Sequence, residues 1–265
     1  MTIVLPSELP VLHAPRARAL LLMWNPDAEI ADYVSVIEGD PALTAAVLRA
    51  ANSAASWPVK RVATAREAAI RVGRESVRQI TTTLILRSEF DRLDESGIDD
   101  GELWDHLLAV GLIAERLAGE DLRHLAFTSG LLHDIGRLSM AGQQPARYAR
   151  IALAVEDGRP AIEAERDAFL TDHAVWGGRI AEAWRFPPEV VEAIGGHHTG
   201  AGGPLAAVIH TARELAWTLG VGDGLVFPSG SGQAPEPYAA LVSELGGAEG
   251  LRRRLRWYRE ATRPR

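Results

Sequence analysis

Apolar side chains along this chain recur at spacings of three and four, and no stretch shows a convincing strand-like alternation. That periodicity restricts the chain to helices whose apolar stripes must cover one another. The segment EGDPALTAAVLRAANSA, residues 38–54, shows the logic: Asp40 can cap, Pro41 suits the first helical position, and Leu43, Ala46, Val47 and Ala50 share one face. Further helices are predicted over 64–72, ended by Gly73, and over 74–90. Residues 91–101, DRLDESGIDDG, are acidic and poor in large apolar side chains, as suits an exposed connection. Beyond them helices are expected at 102–118, 121–134, 144–157, 160–170, 173–184, 187–196 and 204–219. A Gly/Pro/Ser-rich loop follows over 222–237, and one or two short helices close the chain. The expectation is an all-α protein of two packed helical subdomains, 1–90 and 102–220, with 221–265 as a loop and helical tail.

With 265 residues, 47% of them apolar, the chain can bury a substantial core. It has no cysteine, which removes disulfides, thiolate metal sites and thiol nucleophiles together. The start, MTIVLPSELPVLHAP, lacks the basic and apolar regions of a signal peptide, and no segment has the apolar length of a membrane span, so a cytoplasmic, non-membrane protein is expected. A formal charge of −7 opposes broad attraction to nucleic acid. The basic run LRRRLRWYRE at 251–260 reads as the solvated face of a last helix, with Leu251, Leu255 and Tyr258 packed inward.

The chemistry-bearing residues lie in the second half. His106 falls in one predicted helix, His133 and Asp134 stand together in SGLLHDIGRL, His173 follows a loop, and His197 and His198 are paired. Imidazole with carboxylate suits Fe, Mn or Zn, and two such metals can activate water against a phosphate ester. The same side chains can also satisfy one another as a buried hydrogen-bonded cluster. His13, His124 and His210 read as ordinary histidines; the seven tryptophans, at 24, 57, 104, 176, 184, 217 and 257, read mostly as core or seam residues. Asn52 and Ser53 read as a helix end with local side-chain hydrogen bonds, or as polar groups offered to a partner.

In this order the histidines resemble the HD domain, a superfamily of metal phosphohydrolases with a His, a His-Asp pair, further histidines and a late Asp. His106, His133 with Asp134, His173, and the pair His197 and His198 match its ligand positions, whereas Arg213 in AAVIHTARELAWTLG stands where the last aspartate belongs. The first half is similar to the HDOD family, an HD-related output domain of bacterial signalling proteins. Its marks there are a leading Leu-Pro segment, the stretch DPALTAAVLRAANS and the turn AAIRVG, and in the second half HAVWGGRIAEAWRFPPEVVEAIGGHH also fits, with Trp184 and Pro187 in place. The HD-GYP phosphodiesterases that cleave cyclic di-GMP carry an acid and a Gly-Tyr-Pro loop after the paired histidines. This chain reads HHTGAGGP, with Thr199 in place of the acid.

The resemblance implies a regulatory module without catalytic residues, acting through a signalling protein partner or a small ligand such as a nucleotide. His106, His133, Asp134, His173, His197 and His198 would then be a vestigial metal set, with no cofactor required and Fe, Mn or Zn the metals if the set is still competent. A guanidinium cannot ligate a cation, so Arg213 is expected to pair with Asp134 and fill the site. The alternative is a metal-dependent phosphohydrolase acting on a nucleotide or cyclic dinucleotide, with His106, His133, Asp134, His173 and His198 holding metal and water.

Overall fold

The computed structural model describes residues 14–23, 25, 27–53, 61–90, 93, 95–226, 228 and 234–263. The leading Leu5-Pro6 segment, His13, Trp24 and Trp57 lie outside the described residues. Among the described residues every regular element is a helix, as the periodicity requires. By internal packing, residues within Leu12–Glu89 and Glu249–Arg265 form one unit and residues within Phe90–Ala248 another.

The first unit contains α1 (Ala14–Met23), α2 (Ile30–Glu38), α3 (Pro41–Asn52), α4 (Ala65–Val72) and α5 (Arg74–Glu89). Asp40 caps α3 by accepting from the Ala42 and Leu43 amides, and Leu43, Ala46, Val47 and Ala50 are buried on the face their spacing defines. The helix stops at Asn52, whose amide grips the returning chain: Nδ2 donates to the Val62 carbonyl at 2.9 Å and Oδ1 accepts from the Val62 N–H at 3.0 Å. Asn52 is therefore spent on local structure. Thr64 caps α4, and Gly73, at φ +84°, makes the turn into α5.

The final helix, Gly247–Thr262, joins this first unit from Glu249 onward, so it contributes to a core and is not the tail expected from the sequence. Leu251, Leu255 and Tyr258 are buried; Tyr258 donates to Gln79, Trp257 Nε1 donates to Ser53 Oγ at 3.0 Å, and Arg49 donates to the Ala261 carbonyl at 2.7 Å. Arg252, Arg253 and Arg254 are exposed, the solvated face the sequence suggests.

The second unit contains α6 (Asp100–Leu117), α7 (Glu120–Leu132), α8 (Ile135–Gln143), α9 (Pro145–Glu156), α10 (Ala161–Phe169), α11 (His173–Ala183), α12 (Pro188–Gly196), α13 (Pro204–Thr218) and α14 (Ala239–Glu244). Helix α6 is its centre, packed on α7 and α13 and buried almost all round. The acidic connection is less exposed than its composition suggests: Leu93, Ser96 and Ile98 are buried, the Asp99 amide donates to the Gly224 carbonyl at 2.9 Å, and Asp99 caps α6. The helix expected over 121–134 ends early, at Leu132, and α8 follows at once. Trp104 and Trp176 are buried, and Trp184 packs against Phe90 and Phe186.

Two close helix crossings position the histidines. At the first, α6 meets α7 through Gly111 and Gly130; a Cβ on Gly130 would lie 2.7 Å from the Gly111 Cα. At the second, α8 meets α11 through Gly136, where a Cβ would lie 2.0 Å from the His173 carbonyl oxygen. Neither crossing tolerates a side chain at that separation.

Candidate metal centre

Four helix ends and one helix body converge in the second unit. His106 projects from α6; His133 and Asp134 form the joint between α7 and α8; His173 is the first residue of α11; His197 closes α12 and His198 follows it. The α6–α7 crossing sets the His106 and His133 rings 5.2 Å apart, centre to centre, and the α8–α11 crossing brings His173 Nε2 to 3.1 Å from Asp134 Oδ1. His197 Nε2 lies 3.3 Å from the same oxygen, and His173 Nε2 is 2.7 Å from His198 Nε2. One ligand atom from each of Asp134, His173, His197 and His198 falls within 4.8 Å of the others, and the same holds for His106, His133 and Asp134. All six residues singled out in the sequence thus meet, in two groups that share Asp134.

The backs of the rings are fixed. His133 Nδ1 donates to the Gly130 carbonyl at 2.6 Å, His197 Nδ1 to the Ile194 carbonyl at 2.7 Å, and His173 Nδ1 to Glu165 Oε2 at 2.6 Å. A carbonyl oxygen only accepts, so the ring protons of His133 and His197 sit on Nδ1, and in the neutral rings Nε2 is a bare lone pair turned inward. These Nε2 atoms, both nitrogens of His106 and both oxygens of Asp134 are buried without a properly formed hydrogen bond. Buried polar atoms left in that state are costly. Lone pairs aimed at one carboxylate, with the opposite nitrogens anchored, are the arrangement that metal-ligating histidines adopt. The donor set of imidazole and carboxylate fits Fe, Mn or Zn.

Three residues that sequence reasoning did not single out shape the site. Arg137, fully buried one turn into α8, holds Asp134 Oδ2 at 3.2 Å and Asp223 Oδ2 at 2.9 Å. Glu165, on α10, takes the His173 backbone N–H at 2.9 Å and the Tyr148 hydroxyl at 2.6 Å as well as the His173 ring. Arg137 stood in the quoted SGLLHDIGRL, where its three-residue spacing from Asp134 was a usable signal once a helix starts there. Glu165 and Asp223 had none.

The expected Arg213–Asp134 ion pair is corrected. Arg213 pairs with its neighbour Glu214 at 3.2 Å, and the guanidinium on Asp134 belongs to Arg137, which is closer along the chain and pinned from behind by Asp223. The Arg213 charge still contributes to the field at His106 and His198, where it disfavours their protonation.

Electrostatics separate the histidines. Burial pulls His106 down to about 4 against the opposing carboxylates Asp134 and Asp223. Burial lowers His133 and His197 as well, and His198 is lowered by burial and by the neighbouring rings. His173 goes the other way: burial opposes its charge, but Glu165 and Asp134 outweigh it and hold the ring up at about 9. Burial opposes ionisation of Asp134 too, yet Arg137 and the surrounding rings keep its carboxyl well below the usual range.

A model of the HDOD domain matches residues 9–200 of the sequence. The chain belongs to the HDOD family. Solved relatives cover almost the whole chain: a Shewanella amazonensis protein provisionally called a phosphohydrolase (26% identity, 97% of this chain and 95% of that one, TM-score 0.68), and a Marinobacter aquaeolei protein provisionally called a signal transduction protein (25%, 96% and 58%, TM-score 0.69). An HDOD protein of unknown function from Geobacter sulfurreducens shares the fold at 22% identity over 96% of this chain and 84% of its own, with a TM-score of 0.69. An uncharacterized protein of Treponema pallidum is 27% identical over 72% of this HDOD chain, which spans only 38% of that relative's length. No described helix is long and apolar enough to cross a membrane.

Proposed function

We propose that this HDOD chain is a regulatory signalling module, acting through protein contacts, in which the His/Asp centre holds one divalent metal in a structural or sensing role. The observation that carries this reading is the division of Asp134: Oδ1 faces His173 and His197, while Oδ2 faces the Arg137 guanidinium at 3.2 Å. Asp134, His173, His197 and His198 would hold the ion. Bound there, a metal supplies Lewis acidity and ties α8, α11 and α12 together. Two-metal phosphoester hydrolysis needs a carboxylate shared between two cations, and Arg137 keeps a fixed positive charge on the side where the second would stand. Thr199, in place of an acid after the paired histidines, supports the same conclusion. The provisional phosphohydrolase among the relatives and the second ligand group of His106, His133 and Asp134 favour the competing reading, a phosphohydrolase acting on a nucleotide or cyclic dinucleotide.

Elemental analysis of protein purified without chelators, followed by assay of cyclic di-GMP and bis(4-nitrophenyl) phosphate with added Mn or Fe, tests the two. The expected result is about one metal per chain and no turnover. Two metals per chain, with turnover abolished in His133→Ala, overturn it. Absence of any metal, before or after reconstitution, overturns the metal part.

A pH dependence follows from His173. Its Nε2 ligates only after losing the proton that Glu165 and Asp134 hold at about 9, whereas the lowered His197 and His198 are already neutral at pH 7. Metal affinity is therefore expected to rise about tenfold from pH 7 to pH 8 and to level off above pH 9. Competition titration with a chromophoric chelator measures it. An affinity flat over that range shows that no proton is displaced.

A further inference from the structure

Helices α9 and α10, which pack against each other, leave a groove on the surface of the second unit with a volume of about 200 Å³. Its floor is apolar, built from Ile151, Ala154, Ala164 and Ala168, and its rim carries Arg147, Arg150 and Arg159. One carboxylate lines it, Asp167, which pairs with Arg159; Glu163 stands near the same guanidinium. The excess of positive charge is local, since the chain as a whole carries −7. Leu153, one turn beyond Arg150 on α9 and 60% exposed, continues the apolar surface along the helix.

We infer that this groove docks an acidic segment of a partner protein, with one large apolar side chain in the groove and carboxylates on either side of it. The volume suits one leucine- or phenylalanine-sized group, since a dry cavity of about 150 Å³ already holds benzene. Guanidinia around an apolar floor match such a segment in charge and in shape, and paired charges at a rim select partners more than they add affinity. The groove also lies over the seam bridged by the Tyr148–Glu165 hydrogen bond: Arg147 adjoins Tyr148, Ala164 adjoins Glu165, and Glu165 orients His173. A segment that shifts α9 against α10 moves a residue that aims His173. This second consequence, unlike the docking itself, rests on the metal reading proposed above.

The probe is the capped pentapeptide DELED, with DEFED beside it and the uncharged NQLQN as control, titrated into metal-free protein by NMR. Both acidic peptides are expected to bind with shift changes centred on Ala154, Ala164 and Ala168. NQLQN should bind at least about tenfold more weakly, and so should DELED to Arg150→Glu, an exposed position whose replacement leaves the core intact. No binding of either acidic peptide up to about 1 mM, shift changes elsewhere, or a groove that takes AMP and not peptide overturns docking. Repeating the titration on metal-loaded protein tests the coupling: by linkage, a peptide affinity changed at least about threefold supports it, and an unchanged affinity overturns it while docking stands. Protein that cannot be loaded at all removes the metal reading, and the coupling with it, and leaves the metal-free titration to decide docking.

Discussion

Arg137→Met is expected to destabilise the metal-free protein by about 3–5 kcal/mol at pH 7, because one substitution strips the counter-ion from two buried carboxylates, Asp134 and Asp223. Methionine roughly fills the volume, so the loss is electrostatic and not a cavity. The pH profile separates the two. Burial raises Asp223 but Arg137 overcomes it and depresses the carboxyl to about 2. A depressed carboxylate contributes stability that is present above its ordinary value near 4 and lost as pH falls through about 2. Without Arg137, burial and the neighbouring Asp134 carboxylate raise Asp223 against the lesser lowering by His106, so the variant should gain relative stability on acidification while the unaltered chain loses it. Urea unfolding at pH 7 and pH 3 reads this: the gap should be widest at pH 7 and shrink toward pH 3. A gap below about 1 kcal/mol at pH 7 would mean the triad of charges does not hold the α7–α8 joint. The same variant bears on function, for with Oδ2 released from the guanidinium, metal stoichiometry should rise from one per chain toward two.

The helices were legible because burial on one face leaves a spacing that survives in the bare sequence: Leu43, Ala46, Val47 and Ala50 are inside, and so are Leu251, Leu255 and Tyr258. The candidate cluster was legible because His and Asp carry their chemistry in their identity, and the structure brings the six side chains together. Side-chain direction and partner choice were not. Arg213 was placed on Asp134 from its position in a pattern, but position along α13 does not say where a long side chain points, and Glu214 beside it is the partner it takes. The break at His133–Asp134 was hidden because the dipeptide continues an apolar run, and with α8 unseen the spacing of Arg137 from Asp134 had no meaning. Glu165 reaches His173 across a turn in which Leu170 adopts φ +59°, a conformation that nothing in a leucine announces. The last helix was read correctly as amphipathic, yet its partners, Gln79, Ser53 and Arg49, are far away in sequence.

Glu165→Gln separates the charge of this buried carboxylate from its hydrogen bonds. Oε2 accepts both the ring and the backbone N–H of His173, and Oε1 accepts the Tyr148 hydroxyl. A glutamine placing its oxygen at Oε2 keeps the first two bonds, and its NH2 can donate to a rotated Tyr148 hydroxyl, so the geometry survives and only the charge is lost. In the metal-free protein His173 is raised from 6.5 to about 9, against the effect of burial, by Glu165 and Asp134. A raised imidazole contributes stability that is fully present below pH 6.5 and lost as pH rises through about 9; a shift of that size corresponds to about 3 kcal/mol. His106, lowered to about 4, works on the other side, costing stability as pH falls below 6.5, so metal-free protein should be most stable near pH 6.5. Glu165→Gln should remove most of the alkaline limb: destabilisation of up to about 3 kcal/mol at pH 6.5, shrinking to nothing by pH 10, where His173 is neutral in both proteins and only the unaltered chain still buries the Glu165 charge. Metal binding should change in step. Near pH 7 two effects of the variant offset each other, a less basic His173 and less proton competition, while the rise in affinity from pH 7 to pH 9 flattens. Denaturation curves from pH 6 to pH 10 decide it, since an alkaline limb that persists in Glu165→Gln would place the titrating proton on some group other than His173.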